Sequence, residues 1–198
     1  MKKYIILIPI YNDKDSLIKL IENINLEVKD LNSQISIIVV NDASSQQVID
    51  NYQNIESIHS IKVINMKENR GHARCIASGL KYIFEKKEFD YVIPMDGDGE
   101  DRPEEIKNFI QIADQTEDKS IIGERVKRSE SLIFKVCYQA HKILTFAFTN
   151  QSIKFGNFTC LSKSTVKKMI NEKATWNSFS GSLKKIEKNL LSIPSIRG

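Results

Sequence analysis

Residues 35–45 read ISIIVVNDASS. The first six are apolar apart from Ser36 and do not alternate with polar residues; the last five are polar or small. Such a run marks a strand covered on both faces, as in parallel sheets. The abrupt polar stretch marks the carboxyl end of that strand. The same grammar recurs on either side. Residues 4–10 (YIILIPI) precede Tyr11-Asn12-Asp13, and residues 61–66 (IKVINM) precede Glu68-Asn69-Arg70-Gly71-His72. Residues 91–95 (YVIPM) precede Asp96-Gly97-Asp98-Gly99-Glu100-Asp101, and a shorter run lies at 120–122. Helical patterns fall between the runs, over 15–31, 45–52, 72–85 and 103–113. Strands alternating with helices predict βαβ units, right-handed crossovers and a mostly parallel, twisted sheet flanked by helices in a three-layer α/β fold.

Beyond Ile122 the alternation stops. A long helix is expected over 129–150, a short strand over 157–161, and helices over 164–171 and 179–189. The chain divides on this reading into a core, 1–128, and a more helical remainder, 129–198.

The chain has 198 residues, enough to bury one large core. Apolar residues at 41% and charged residues at 27% exclude bulk disorder, and 8 Gly with 4 Pro exclude collagen-like or linker compositions. A net charge of +4 is too mild to mark a nucleic-acid binder, and it suits an anionic substrate or membrane surface. Cys75, Cys137 and Cys160 match no metal spacing and are odd in number, so a reducing cytosol is expected. No stretch reaches the roughly 18 apolar residues of a membrane-spanning helix. The chain stops at IPSIRG, which reads as the end of a fragment.

Ligands of open α/β sheets bind outside the carboxyl ends of the strands. Four polar loops there predict one crevice. It is not a dinucleotide site, because the turn after the first strand lacks glycine. No P-loop and no G-x-S-x-G occurs. The stretch from Asp96 fails as a calcium loop, with Asp101 at the sixth position and Lys107 at the twelfth.

Asp96 and Asp98 lie two residues apart on a glycine-rich turn. Two carboxylates so placed can face one hard cation, Mg²⁺ or Mn²⁺, whose other ligands come from phosphates and water. The plainer alternative is a solvated acidic turn before the helix start at Pro103-Glu104-Glu105. The buried strand before the turn and the three other loops favour the metal. Asp42 could accept from a base N–H or simply cap a helix over 45–52. Arg70 could pair with a phosphate or be a solvated cation. His72 and His141 read as structural or exposed.

Five stretches together resemble the family 2 glycosyltransferases of the GT-A nucleotide-diphospho-sugar fold: IPIYND (8–13), VVNDASS (39–45), ENRGHARCIASGL (68–80), VIPMDGDGEDRPEEI (92–106) and IIGERVKR (121–128). FGNFTCLSKSTV (155–166) matches more loosely. DGDGEDRPEEI looks like the subgroup containing dolichyl-phosphate mannosyltransferase and bacterial polyprenyl-phosphate glycosyltransferases. The resemblance implies an inverting enzyme that takes a nucleotide-sugar donor. Pro9, Tyr11 and Asp42 would line the nucleobase and ribose pocket, and Arg70 would lie beside the nucleotide. Asp96, Gly97 and Asp98 would form the D-x-D turn, its carboxylates holding the metal on the diphosphate. Arg125 and Arg128 would meet the acceptor, a lipid phosphate or a glycan, with Asp96, Asp98 and Arg125 as the catalytic group. Asn41 and Asn157 stand where relatives often have Asp. No Glu-Asp pair beyond residue 118 supplies a base.

Residues 129–150 (SESLIFKVCYQAHKILTFAFTN) place apolar side chains at helical spacing with Lys135 and Lys142 opposite. The expectation divides between a core helix and one lying in the membrane interface. The second makes the protein peripheral on the cytoplasmic face. Two rival readings remain. A haloacid-dehalogenase-type phosphatase also uses D-x-D, but on its first strand and with Thr or Val where Glu100 stands. The other rival is a non-catalytic nucleotide-binding fragment.

Overall fold

The computed structural model describes residues 1–48, 52, 55–125 and 155–196. Its strands are β1 (Lys3–Ile10), β2 (Gln34–Asn41), β3 (Ser60–Asn65), β4 (Tyr91–Pro94), β5 (Ile121–Arg125), β6 (Phe155–Ser162) and β7 (Leu191–Ser195). Its helices are α1 (Lys14–Val28), α2 (His72–Lys86), α3 (Ile106–Gln115), α4 (Lys163–Asn171) and α5 (Phe179–Ile186). Single 3₁₀ turns cover Pro103–Glu105 and Lys173–Trp176.

The strands form one sheet in the order β3-β2-β1-β4-β6-β5-β7. β1 pairs in parallel with β2, from Lys3↔Gln34 to Ile10↔Asn41, and with β4, from Tyr4↔Tyr91 to Leu7↔Pro94. β2–β3 and β5–β7 are also parallel, and β6 runs antiparallel to β4 and β5. The mostly parallel α/β architecture read from the sequence is therefore present.

β1 lacks polar alternation because both its faces are covered. Tyr4, Ile6, Ile8 and Ile10 join Leu17, Ile21, Ile24 and Val28 of α1 and Phe109, Ile110 and Ala113 of α3. Ile5 and Leu7 join Ile76, Leu80 and Ile83 of α2, Val166 and Met169 of α4, and Phe179 and Leu183 of α5. The buried α1 positions recur at helical spacing, one stripe toward the sheet. Asp13 caps that helix by accepting from the Ser16 N–H at 3.3 Å.

The outer elements depart from the sequence reading. Residues 45–48 are not helical; 49–51 lie outside the described residues. There the local signal was a run of cap-forming polar residues, which serve a turn as readily as a helix. The run at 120–122 extends through Gly123, Glu124 and Arg125, because a strand end at a polar edge need not be apolar. β7 was not foreseen. Its LSIPS sequence carries a proline and lies at the sheet edge, where proline is tolerated. The helix expected over 129–150 lies outside the described residues.

Candidate active site

The loops after β1, β2 and β3 are stitched to one another. The Asn12 N–H donates to Ser44 Oγ at 2.8 Å, and Asn12 Oδ1 accepts from the Ser45 N–H at 2.8 Å and Ser45 Oγ–H at 3.1 Å. Asn41 Oδ1 accepts from the Ser44 N–H at 3.0 Å, while Asn41 Nδ2 donates to Asn65 Oδ1 at 2.8 Å. Asn12 and Ala43 hold left-handed backbones at φ 53° and 58°, uncommon outside glycine and tolerable where a network holds them.

Asp42 is buried beneath the next loop. Its Oδ1 accepts from the Arg70 N–H at 2.7 Å and its Oδ2 from the Gly71 N–H at 2.8 Å. A carboxylate gripping two consecutive N–H groups fixes that loop. Gly71 adopts φ 86°, ψ 158°, which only glycine reaches without strain. The clamp therefore sets the start of α2 and the position of its first residue, His72.

A cleft of about 340 Å³ opens at this edge. Pro9, Ile10, Tyr11 and Asp13 line it together with His72, Asp96, Gly97, Asp98 and Asn157. Asp96 Oδ1 accepts from Asn157 Nδ2 at 3.3 Å and lies 2.9 Å from His72 Nε2. That hydrogen bond, with the surrounding carboxylates, raises the His72 pKa above its ordinary 6.5 against the opposing effect of burial. The turn is braced from within: the Asp96 N–H donates to Asp101 Oδ2, and the Glu100 N–H donates to Asp98 Oδ1, both at 2.9 Å. A Cβ on Gly97 would stand 2.9 Å from the Pro9 carbonyl oxygen, so only glycine lets the turn lie against β1.

Among the described residues no three His, Cys, Asp or Glu side chains gather as a metal cage. Asp96 and Asp98 alone are two hard oxygen donors. That set fits a Mg²⁺ or Mn²⁺ ion that completes its coordination from ligand phosphates and water.

Pro9, Tyr11, Asp96, Gly97 and Asp98 thus share one cleft. Tyr11 is 53% exposed, an aromatic face turned to solvent at the mouth. Asp42 lies behind the cleft wall. Arg70 pairs with Glu68 on the exposed side of its loop. Arg125 ends β5, and its guanidinium lies over Gly156. It lines a second hollow, about 320 Å³, with Glu124, Ser192, Ile193 and Pro194. Gly156 and Asn157 are consecutive strand residues, so Arg125 and Asn157 lie on opposite faces of β6. Two strand spacings, about 10 Å, separate β4 from β5. Arg128 and His141 lie outside the described residues.

Sequence reasoning passed over His72 and Asn157 as cleft members. His72 is half-exposed, as expected, yet sits inside the cleft. Its place directly after Gly71, at a carboxyl-edge helix start, was the available signal.

The family model described as "Glycosyl transferase family 2" matches residues 5–176. The chain belongs to this family. As a family 2 glycosyltransferase it is 28% identical over 165 residues to an undecaprenyl-phosphate 4-deoxy-4-formamido-L-arabinose transferase of Proteus mirabilis, covering 81% of this chain and 48% of the relative. The chain spans about half the length of the curated relatives it matches. S. aureus TarS 1-349, solved with UDP-GlcNAc, superposes with TM-score 0.63 at 16% identity, over 98% of this chain and 57% of that one. Glucosyl-3-phosphoglycerate synthase from Mycobacterium tuberculosis, solved with UDP, gives 0.64 at 13%, over 98% and 70%. These likenesses establish the GT-A fold expected from the sequence. Neither the family nor the neighbours favour the phosphatase reading.

Proposed function

We propose that this family 2 glycosyltransferase chain transfers a sugar from a nucleotide-diphosphate donor to a polyprenyl phosphate. The observation that carries the reading is the braced Asp96-Gly97-Asp98 turn sharing one cleft with exposed Tyr11. Tyr11 and Pro9 offer a base and ribose surface, Asp42 holds the loop that closes this side, and Arg70 lies beside the nucleotide. Asp96 and Asp98 would hold Mg²⁺ or Mn²⁺, which supplies charge neutralisation for the departing diphosphate. The acceptor oxygen displaces the nucleoside diphosphate at the anomeric carbon with inversion, and the rate comes mainly from positioning and charge stabilisation.

Arg125, which lies outside the cleft in the neighbouring hollow, and Arg128 are the proposed acceptor-phosphate contacts, reached by an acceptor that extends beyond the cleft. A phosphate monoester is largely ionised near neutral pH, with a second pKa of about 6. It attacks without a base. The named substrate of the Proteus mirabilis relative and the UDP complexes of the solved neighbours support this choice of acceptor and donor. Among the described residues no helix is long and apolar enough to cross a membrane. We place the enzyme peripherally on the cytoplasmic face, the amphipathic sequence of residues 129–150 being what suits a lipid surface.

The test is a panel of nucleotide sugars with a short polyprenyl phosphate, with and without Mn²⁺. Metal-dependent formation of a lipid-linked sugar, lost in Asp98→Ala and reduced in Arg125→Ala, is the expected result. Transfer to a free sugar hydroxyl with no transfer to the lipid phosphate would overturn the acceptor.

A further inference from the structure

Residues 163–188 carry seven lysines and two glutamates. That is +5 within one segment, more than the +4 of the whole chain. The positive charge of this protein is therefore local. All seven lysines are exposed. Both glutamates are spent on tying two helices together. Glu187, just after α5, takes Lys168 of α4 at 2.9 Å; Glu172, just after α4, takes Lys185 of α5 at 2.9 Å. This reciprocal pair leaves Lys167, Lys173, Lys184 and Lys188 with no ion pair among the described residues, while Lys163 lies over the Phe89 ring in the field of Glu88. Trp176, the one tryptophan of the chain, sits half-buried in the turn between the two helices.

We infer that the α4–α5 face docks on an anionic lipid surface. The chemistry separates this occupant from a nucleic acid. Residues 163–188 contain no arginine, so bidentate phosphate or base contacts are missing, and no fully exposed aromatic offers a base-stacking platform. Lysines are flexible point charges spread over a face, which matches laterally mobile headgroups. A tryptophan at its rim suits the headgroup boundary.

The face also fits the position of the cleft. α4 and α5 pack with α2 on one side of the sheet. The cleft residue His72 is the first of α2, and Asn157 meets Asp96 beside it. This contact is independent of which acceptor the enzyme uses.

The experiment uses the full 198-residue chain without donor or acceptor. Vesicles of phosphatidylcholine alone and of phosphatidylcholine with phosphatidylglycerol are compared by co-sedimentation and Trp176 emission, at low and high salt. Binding to the anionic vesicles only, with a blue-shifted emission and an affinity about tenfold weaker at high salt, is expected. The triple variant Lys167→Ala, Lys184→Ala, Lys188→Ala is expected to bind about a hundredfold more weakly, with an unchanged melting temperature. Salt-insensitive binding, or full binding by the triple variant, would overturn the inference and move the contact to residues outside this face. So would no binding to anionic vesicles. A duplex oligonucleotide held more tightly than the vesicles would replace lipid as the occupant. Because no turnover is measured, failure here leaves the proposed reaction standing, and failure of that reaction leaves this result standing.

Discussion

At Gly97 the margin is a single methyl group. Alanine there would drive its Cβ into the Pro9 carbonyl oxygen, a backbone atom that cannot swing aside. Gly97→Ala is expected to weaken donor binding about tenfold or more and to lower the melting temperature as well, since Gly97 is buried against β1. Calorimetry with the donor nucleotide and a thermal melt check both. Asp42 behaves differently. Removing its carboxylate leaves the Arg70 and Gly71 N–H groups without their buried acceptors, so Asp42→Ala is expected to cost about 1–3 kcal/mol of stability and weaken donor binding together. Stability unchanged in a denaturant titration would reject the clamp. The carboxylates of the cleft were legible because they follow apolar runs. The clamp was not legible: Asp42 and Gly71 are separated by β3, and no local spacing says that one oxygen meets each N–H. His72 was in view yet read as incidental, because a lone histidine acquires meaning only from the carboxylate 24 residues away that it touches.

The elements on the α2 side of the sheet depend on close packing and on charge. A Cβ on Gly79 would collide with the Leu7 side chain and approach Val40 Cγ2 at 3.0 Å, so α2 lies unusually near the sheet. Gly79→Ala is expected to destabilise by about 1–3 kcal/mol through overpacking, outweighing its better helix propensity. A urea titration gives the value. The α4–α5 ion pairs have a pH signature. Lys185 and Lys168 hold Glu172 and Glu187 below their ordinary 4.5. A carboxylate depressed in the folded state stabilises above its unfolded pKa and loses that contribution as pH falls through the folded value. Lys168→Met with Lys185→Met is therefore expected to lower the melting temperature slightly near pH 7, and the difference from the parent should fade as the pH drops below the ordinary 4.5 and through the lowered folded-state values. β6 and β7 show why this half was harder to read. Their neighbours in the sheet are β4 and β5, so their pairing is fixed by tertiary contact, and Pro194 disguises an edge strand as a loop.

For the whole molecule, the parallel half of the sheet announced itself because both faces are covered, and that leaves an unmistakable apolar run. The remainder is mixed in direction: its short runs at 120–122 and 157–161 announced parts of β5 and β6, and nothing announced β7. Donor binding should report on the assembled molecule. With Mn²⁺ and a nucleotide diphosphate the melting temperature is expected to rise, and a chelator or Asp98→Ala should abolish the rise, since a ligand binding only the folded state stabilises it by mass action. A chelator-insensitive shift would count against a metal-bridged diphosphate. The pairing of Glu124 with Phe155 has a consequence for engineering. Arg125, the last residue of β5, and Phe155, the first of β6, stand side by side at one end of the sheet. The two attachment points of residues 126–154 are thus already held together. A short turn joining Arg125 to Phe155 closes the gap without shifting a strand register, and cassettes from relatives can be traded on one unchanged chassis.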